Sequence, residues 1–486
     1  MIPLSPPATT LRPLVVDLDG TLIRTDLLHE SASRFLLQRP LAAPRLLAWL
    51  AAGKSVLKTR LAQSVALDAA VLPYDTELLA WLRAQKEQGR ELVLATASHR
   101  LLAEQVAQHL GLFDTVLATE DGSNLRAHAK RDVLVARYGE RGFDYVGNDW
   151  PDLPIFQSAA AAHVVSRSPR LVERVRALGN LASSRVPATG SPAAGLLKAA
   201  RPHQWAKNLL VFVPLLAAHR YGDTLAVAQA LAAFVVLSLA ASAVYLLNDL
   251  VDVADDRHHE RKRLRPFAAG TLSLLHGWLA WPLLLALAFA LAAWLLPGRF
   301  AAALGCYGVL TAAYSFHLKR VAVVDVLTLA ALYTLRIIAG AAAIAVPMSF
   351  WLLSFSMFIF LSLALIKRYS ELRAARDAGR EAALRGRGYS PQDLEMVSSL
   401  GAASGYMAVL VLALYIQDSH TAALYGEPRA IWLACPLLLY WISRAWLLTH
   451  RGQMHQDPVL FALRDRASWV VAALFVVVFA LAKLMP

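Results

Sequence analysis

The feature that most constrains this 486-residue chain is the series of apolar runs, separated by short loops, that fills its second half. About 20 apolar residues suffice for an α-helix to cross a bilayer, because each residue advances about 1.5 Å through a hydrocarbon layer about 30 Å thick. Nine candidate spans lie near residues 206–220, 225–248, 273–296, 300–316, 322–343, 349–366, 402–417, 429–448 and 468–485. With 57% hydrophobic and only 17% charged residues, against roughly 25% charged in soluble domains, an ordinary soluble multidomain enzyme is excluded. Residues 1–180 contain no run of spanning length. Met1–Pro13 carries Pro and Thr where an export signal needs an apolar core, so no cleaved signal is expected. Ser183–Gly195, SSRVPATGSPAAG, has the composition of a linker. The expected organisation is a soluble domain over 1–180, a linker over 181–198 and a membrane domain over 199–486.

Loop charge orients the spans. One alternate set carries Arg257, Arg261, Lys262, Arg263 and Arg265, then Lys319 and Arg320. It continues with Lys367, Arg368, Arg373, Arg376, Arg380, Arg385 and Arg387, then Arg451, Arg464 and Arg466. The other set (HRYGD, LLPGR, AIAVP, QDSHTAALYGEPR) is nearly uncharged. The net charge of +13 therefore reads as loops held on the cytoplasmic face of the cell (inner) membrane, with no nucleic-acid partner implied. The soluble domain is expected in the cytosol and the C-terminus outside. Two cysteines, Cys306 and Cys435, both in apolar runs, exclude a disulfide framework and a Cys-based zinc site.

In the soluble part, the apolar Leu14–Val16 runs into Asp17-Leu18-Asp19-Gly20-Thr21. A strand ending in Asp-x-Asp puts two carboxylates at the carboxyl edge of a parallel sheet, where open α/β folds bind ligands. A second strand, Glu91–Ala95, ends in Thr96-Ala97-Ser98; Lys130 follows, and a third strand, Phe143–Val146, ends in Gly147-Asn148-Asp149-Trp150-Pro151-Asp152. These four elements, in this order, resemble the motifs of haloacid-dehalogenase-like phosphohydrolases. The resemblance covers about residues 11–165, with a helical cap over about 26–72, and implies a Rossmann-like α/β domain. It also implies that Asp17 attacks phosphorus, Asp19 protonates the leaving alkoxide, and Thr96 and Lys130 hold phosphate oxygens. Mg²⁺ would sit on Asp17, the Asp19 carbonyl and an acidic group of the last motif. That motif departs from the family: Asn148 stands where a carboxylate is usual, leaving Asp149 or Asp152 to supply charge. A domain that has kept the fold and lost turnover is the alternative.

The second span runs into Asn248–Gly270, NDLVDVADDRHHERKRLRPFAAG. At about 100° per residue, Asn248, Asp252 and Asp256 fall within roughly 80° on one helical face, with Asp249 beside them. Carboxylates this close repel unless a cation lies between them, and oxygen-only ligands suit Mg²⁺ with substrate phosphates. Arg257, Lys262 and Arg265 then suit diphosphate oxygens, whereas a solvated charge run explains the arginines alone. NDxxDxxxD followed by KxxRPxAxG resembles the first motif of the UbiA superfamily of intramembrane prenyltransferases, implying an all-helical membrane domain over about 195–486. The second motif would be Tyr314-Ser315-x-x-Leu318-Lys319, leading to Asp325. RPHQWAKN, DRxHxxKxxRPxAAG, YSxxLK, LRIIAG and IKRYSEL look like the polyprenyl-phosphate phosphoribosyltransferase branch. Glu260 departs from the Pro common there, and the acidic pair of the second motif is reduced to Asp325.

Arg336 falls mid-span, where a lipid-facing arginine costs about 3 kcal/mol or more. It is expected to face a cavity and meet an anion, or else to pair with Asp325. Lys207, Lys319, Lys367 and Arg368 sit at cytoplasmic span ends as phosphate ligands or snorkelling anchors. His203 and His259 are hydrogen-bonding neighbours sooner than Mg²⁺ ligands, with His259 beside the substrate. Three functions follow. One is Mg²⁺-dependent transfer of 5-phosphoribosyl from phosphoribosyl diphosphate to a polyprenyl phosphate, with the N-terminal domain removing the 5-phosphate. Another is prenylation of a quinone or haem precursor from an allylic diphosphate. The third is a non-catalytic membrane scaffold. Cationic cavity residues favour the first, an apolar slot the second.

Overall fold

The computed structural model describes residues 11–120, 124–187, 191–379, 388–417, 425–454 and 457–484. Arg380, Arg385 and Arg387, residues 418–424 of an uncharged loop, residues 188–190 of the expected linker and residues 1–10 lie outside the described residues. The chain forms two compact units. The first comprises residues 1–200 and 245–281, the second residues 201–244 and 282–486.

In the first unit, six parallel strands stand in the order β3-β2-β1-β4-β5-β6. They are β1 (Leu14–Val16), β2 (Leu92–His99), β3 (Thr115–Thr119), β4 (Asp144–Gly147), β5 (Ala162–Val165) and β6 (Leu181–Arg185). β1 is central, with Leu14 opposite Leu92 on one side and Asp144 on the other. Its three residues are fully buried because helices cover both faces of the sheet. Leu14, Val16, Leu92 and Leu94 pack into one layer, and Val15, Val93, Tyr145 and Phe156 into the opposite one. The expected cap is helical: Leu27–Gln38, Ala43–Ala51 and Lys54–Ser64 close around Phe35, Leu57, Leu61 and Val65.

The expected linker is largely structured. Leu181–Arg185 pairs with β5 as the edge strand, and Pro192–Ala200 is helical. Its small and polar residues suit a half-exposed edge, so composition alone read as a tether. The first unit also takes in Tyr245–Trp281, residues assigned from sequence to the membrane domain.

Among the described residues, seven helices are long and apolar enough to cross a membrane: Thr224–Val251, Leu274–Leu295, Val324–Ala343, Phe350–Asp377, Pro391–Ile416, Pro428–His450 and Arg466–Leu484. Two of the nine expected spans differ. Residues 202–217 form a 3-10 helix, Pro202–Phe212, followed by the short helix Val213–Ala217, in a stretch carrying Lys207, Asn208 and two prolines. Gly298–Phe316 is a continuous 19-residue helix whose apolar character is diluted by Gly305, Gly308, Thr311 and Ser315. In the second unit, Phe350–Asp377 packs on Val324–Ala343 and Leu394–Ile416 around Tyr333, Phe360, Ile366 and Val409. Within the small-residue run Ala339–Ala343, a Cβ on Gly340 would lie 2.1 Å from the Val211 carbonyl oxygen, so only glycine admits this approach.

Candidate active sites

β1 ends at Asp17, whose backbone N–H donates to the Val146 carbonyl at 2.9 Å. Lys130, near the start of the helix His128–Tyr138 and fully buried, donates to Asp17 Oδ1 at 2.7 Å and to the Tyr145 hydroxyl at 3.2 Å. Thr21 donates to Asp17 Oδ2 at 3.0 Å. At the end of β2, Ser98 and Thr96 donate to Asp19 Oδ2 at 2.6 and 3.2 Å, and the Leu27 N–H donates to Asp19 Oδ1 at 2.8 Å. Burial pushes Asp17 up to about 6 against the pull of Lys130. It pushes Asp19 up to about 7, with the charge of Asp26 adding to it. Between those values Asp17 is mainly ionised and Asp19 mainly protonated, the states required of a nucleophile and an acid. Ser98 and the cap residue Lys58, which donates to the Ala97 carbonyl at 2.6 Å, complete the pocket. Ser98 was visible beside Thr96, whereas no spacing signals Lys58.

The last motif divides its acids. Asp149 is exposed and caps its own turn through the Trp150 N–H. Asp152 accepts the N–H groups of Asn148 and Asp149 at 3.1 and 3.4 Å and the Tyr145 hydroxyl at 2.9 Å, and lies 3.8 Å from Lys130. Neither is turned to the metal role allowed for it from sequence. Asn148 Nδ2 donates to the Asp19 carbonyl at 3.3 Å. Gly20, at φ +74°, makes that possible: a Cβ there would lie 2.2 Å from Asn148 Nδ2. Asp17, the Asp19 carbonyl and Asn148 thus converge. Turned by 180°, the Asn148 amide would offer a third oxygen, so the donor set fits Mg²⁺ with a single carboxylate.

The first acidic motif of the helical part lies on Thr224–Val251 and its continuation Val253–Arg257. The helical ladder runs through the irregularity at Asp252, with Asp252 N–H on the Asn248 carbonyl at 2.9 Å and Asp256 N–H on the Asp252 carbonyl at 2.8 Å. The chain then turns back, and Arg265 Nη1 donates to Asp249 Oδ1 at 3.2 Å and Asp256 Oδ2 at 2.7 Å. Both aspartates are buried, with Arg265 27% exposed at their side. Burial raises Asp256 and Arg265 opposes it. Asn248 and Asp252 are half-buried. Among the described residues no three His, Cys, Asp or Glu side chains converge on a metal position, so the expected tetrad is here a pair gathered on one cation. That pair fits Mg²⁺, which commonly takes one or two carboxylates and completes its shell with water and substrate phosphates.

Other expected substrate ligands are engaged within the protein. Arg257 donates to Glu30 Oε1 and Oε2 at 2.6 and 3.1 Å and to the Ala268 carbonyl at 3.2 Å. His259 Nδ1 accepts the N–H groups of Arg261 and Lys262 in an exposed turn that also carries the Lys262 side chain.

In the second unit, Asp325 and Arg368 form an ion pair with both side chains 0% exposed, and Tyr389 donates to Asp325 Oδ1 at 2.8 Å. Neither can reach substrate from that position, against the role expected of them. Arg336 does not pair with Asp325. It donates to Asn208 Oδ1 at 2.9 Å, the Leu332 carbonyl at 2.6 Å and the Tyr307 hydroxyl at 3.1 Å, with the Tyr307 and Tyr333 rings against its guanidinium. Lys207 Nζ is 2.6 Å and Lys367 Nζ 3.7 Å from Asp457 Oδ2. Asp457, not singled out from sequence, is 250 residues from Lys207, beyond the reach of any spacing argument. Tyr314 and Lys319 are half-buried near the end of Gly298–Phe316.

An α/β domain with an aspartate pair at its sheet edge, joined to apolar helices bearing a second acidic motif, defines a phosphohydrolase-like domain fused to an integral membrane transferase. Residues 209–471 match the UbiA prenyltransferase family and residues 14–156 the haloacid dehalogenase-like hydrolases. The chain belongs to the UbiA prenyltransferase family and carries an N-terminal haloacid dehalogenase-like domain. An uncharacterized protein of Sinorhizobium fredii is 36% identical over 97% of this chain and 91% of its own length. The nodulation protein NoeC of Azorhizobium caulinodans is 40% identical over 56% of this chain and 88% of its own. A decaprenyl-phosphate phosphoribosyltransferase of Mycolicibacterium smegmatis is 34% identical over 58% of this chain and 90% of its own.

Proposed function

We propose that the helical part transfers a 5-phosphoribosyl group from phosphoribosyl diphosphate to a polyprenyl phosphate at the cytoplasmic face of the membrane. The observation that carries this reading is the gathering of Lys207 and Lys367 around the single carboxylate of Asp457. Two ammonium groups against one carboxylate leave positive charge among apolar helices, which suits a doubly charged phosphate monoester. The name of the Mycolicibacterium smegmatis relative agrees with it.

In this reading Asp249 and Asp256, with Asp252 on the turn between them, would hold Mg²⁺, which neutralises diphosphate oxygens when bound. Arg265, released from the aspartate pair, is free to meet the departing diphosphate. Lys207 and Lys367 would take a phosphate group of the substrate in place of Asp457.

The transferred ribose keeps its 5-phosphate, and a phosphomonoester hydrolase is the activity that removes it. Asp17 would attack that phosphorus to give an aspartyl phosphate while Asp19 delivers its proton to the departing ribose oxygen. Lys130 and Thr96 would steady the phosphoryl oxygens, and Asp17, the Asp19 carbonyl and Asn148 would hold Mg²⁺. That Asp17 and the Asp249–Asp256 motif belong to one compact unit supports such a sequence of steps. Purified protein supplied with labelled phosphoribosyl diphosphate and polyprenyl phosphate, and separately with an allylic diphosphate and 4-hydroxybenzoate, tests the assignment. Incorporation is expected only in the first mixture, and incorporation only in the second would establish an aromatic prenyltransferase instead.

A further inference from the structure

The cap helix Leu27–Gln38 does more than cover Asp17. Its first N–H, that of Leu27, is bonded to Asp19, and one turn further on Glu30 receives both ends of the Arg257 guanidinium. Glu30 and Arg257 side chains are each only 6% exposed. Arg257 adjoins Asp256 in sequence, and its Nε also holds the Ala268 carbonyl. That second bond ties the returning strand of the 258–270 turn to the end of the helix that bears the aspartates. Arg265, within that turn, is thereby brought back to Asp249 and Asp256. Two further contacts come from the same cap helix: Trp278 Nε1 donates to Ser33 Oγ at 3.0 Å, and Ser273 Oγ is 3.5 Å from His29 Nδ1. Gly270, at φ +68°, sits where a Cβ would be 2.8 Å from Arg24 and 3.0 Å from Pro73, so backbone and cap meet without a spacer.

A buried bidentate pair is specific in geometry and leaves a desolvated charge when either partner is removed. We infer that Glu30 is a positioning residue for the transferase motif. Through Arg257 it fixes the 258–270 turn that presents Arg265 to Asp249 and Asp256, which makes the N-terminal domain part of the transferase's own scaffold. Arg257 is then a structural strut, occupied by Glu30 and Ala268, and does not serve as a diphosphate ligand. The inference rests on the transferase reading for its kinetic consequence but not for its structural one.

The test uses the full-length protein and five forms: wild type, Glu30→Gln, Glu30→Asp, Arg257→Gln, and the double variant Glu30→Gln with Arg257→Gln. Hydrogen exchange across residues 258–270 is followed together with transfer kinetics. Glu30→Gln should speed exchange in that turn about tenfold or more and lower transfer kcat/KM on the order of 10–100-fold, the range typical of losing a supporting partner of a ligand shell. The loss should fall on the donor KM and the Mg²⁺ requirement ahead of kcat. Glu30→Asp should recover part of it, and the double variant should be no worse than Arg257→Gln alone, because Glu30 acts through Arg257 and the Nε bond to Ala268 is already lost there. Unchanged exchange in Glu30→Gln, or a double variant in which the two single losses simply add, would overturn the inference. Wild-type protein that transfers no phosphoribosyl group would instead defeat the functional reading and leave the exchange result to decide this one.

Discussion

The two acidic motifs hold their aspartates in opposite ways. Asp249 and Asp256 share Arg265, a cation still 27% exposed, whereas Asp325 is sealed against Arg368 with both side chains at 0%. The first arrangement can exchange its cation for another and accept an anionic substrate beside it. In the second, Tyr389 bonds both Asp325 and the Val323 N–H, and the part-exposed Glu371 takes the other end of Arg368. Accessibility of the counter-ion, more than the presence of an aspartate, therefore distinguishes the two motifs. Lys207 and Lys367 with Asp457 stand between the extremes, with Lys367 34% exposed.

The sharpest way to break this comparison is to remove the sealed aspartate. Asp325→Ala leaves the buried Arg368 with only the part-exposed Glu371 as counter-ion, and should cost about 3 kcal/mol of stability, the low end for a broken buried pair. Denaturation of the detergent-solubilised protein measures it, and a variant as stable as wild type would mean that Asp325 is not structural. Asp256→Ala should do the reverse. Transfer should fall by about 100-fold, with a raised Mg²⁺ requirement, while the unfolding midpoint stays near wild type.

Arg336→Leu sharpens the middle ground. From sequence alone a leucine should suit a span better than an arginine. The bonds from Arg336 to Asn208 and Tyr307 reverse that expectation, since their loss strands buried polar groups at about 1–3 kcal/mol. A lower melting temperature with an unchanged donor KM is the expected result. The smallest effect concerns the phosphohydrolase pocket. Asp17 must be ionised, so activity falls as pH drops below about 6; Asp19 must be protonated, so activity falls as pH rises above about 7. Turnover of a phosphomonoester should decline about tenfold for each unit beyond either limit.

How much was legible depended on distance along the chain. Asp17 and Asp19 are two residues apart at a strand end, and the strand pattern alone set them at the sheet edge. The acidic helix was equally visible, but its converging pair was not. Asn248 and Asp256 are eight residues apart, roughly 80° off alignment, whereas Asp249 and Asp256 are seven apart, within roughly 20°. The return of Arg265 selected the better-aligned pair. Partners separated by 43 residues, as for Arg368 and Asp325, or 250, as for Lys207 and Asp457, leave no periodic trace. Ser183–Gly195 was misread for a different reason. An edge strand of small polar residues carries the same composition as a tether, and only its pairing to β5 distinguishes them.

The most direct test of the whole account is mass spectrometry of the lipid formed from polyprenyl phosphate and phosphoribosyl diphosphate by three forms of the full-length protein. Wild type should release polyprenyl-phosphoryl ribose, Asp17→Asn should accumulate the same lipid with its 5-phosphate retained, and Asp256→Ala should yield little of either. Identical lipids from wild type and Asp17→Asn would contradict the role given to the N-terminal domain, and undiminished product from Asp256→Ala would contradict the transferase site itself.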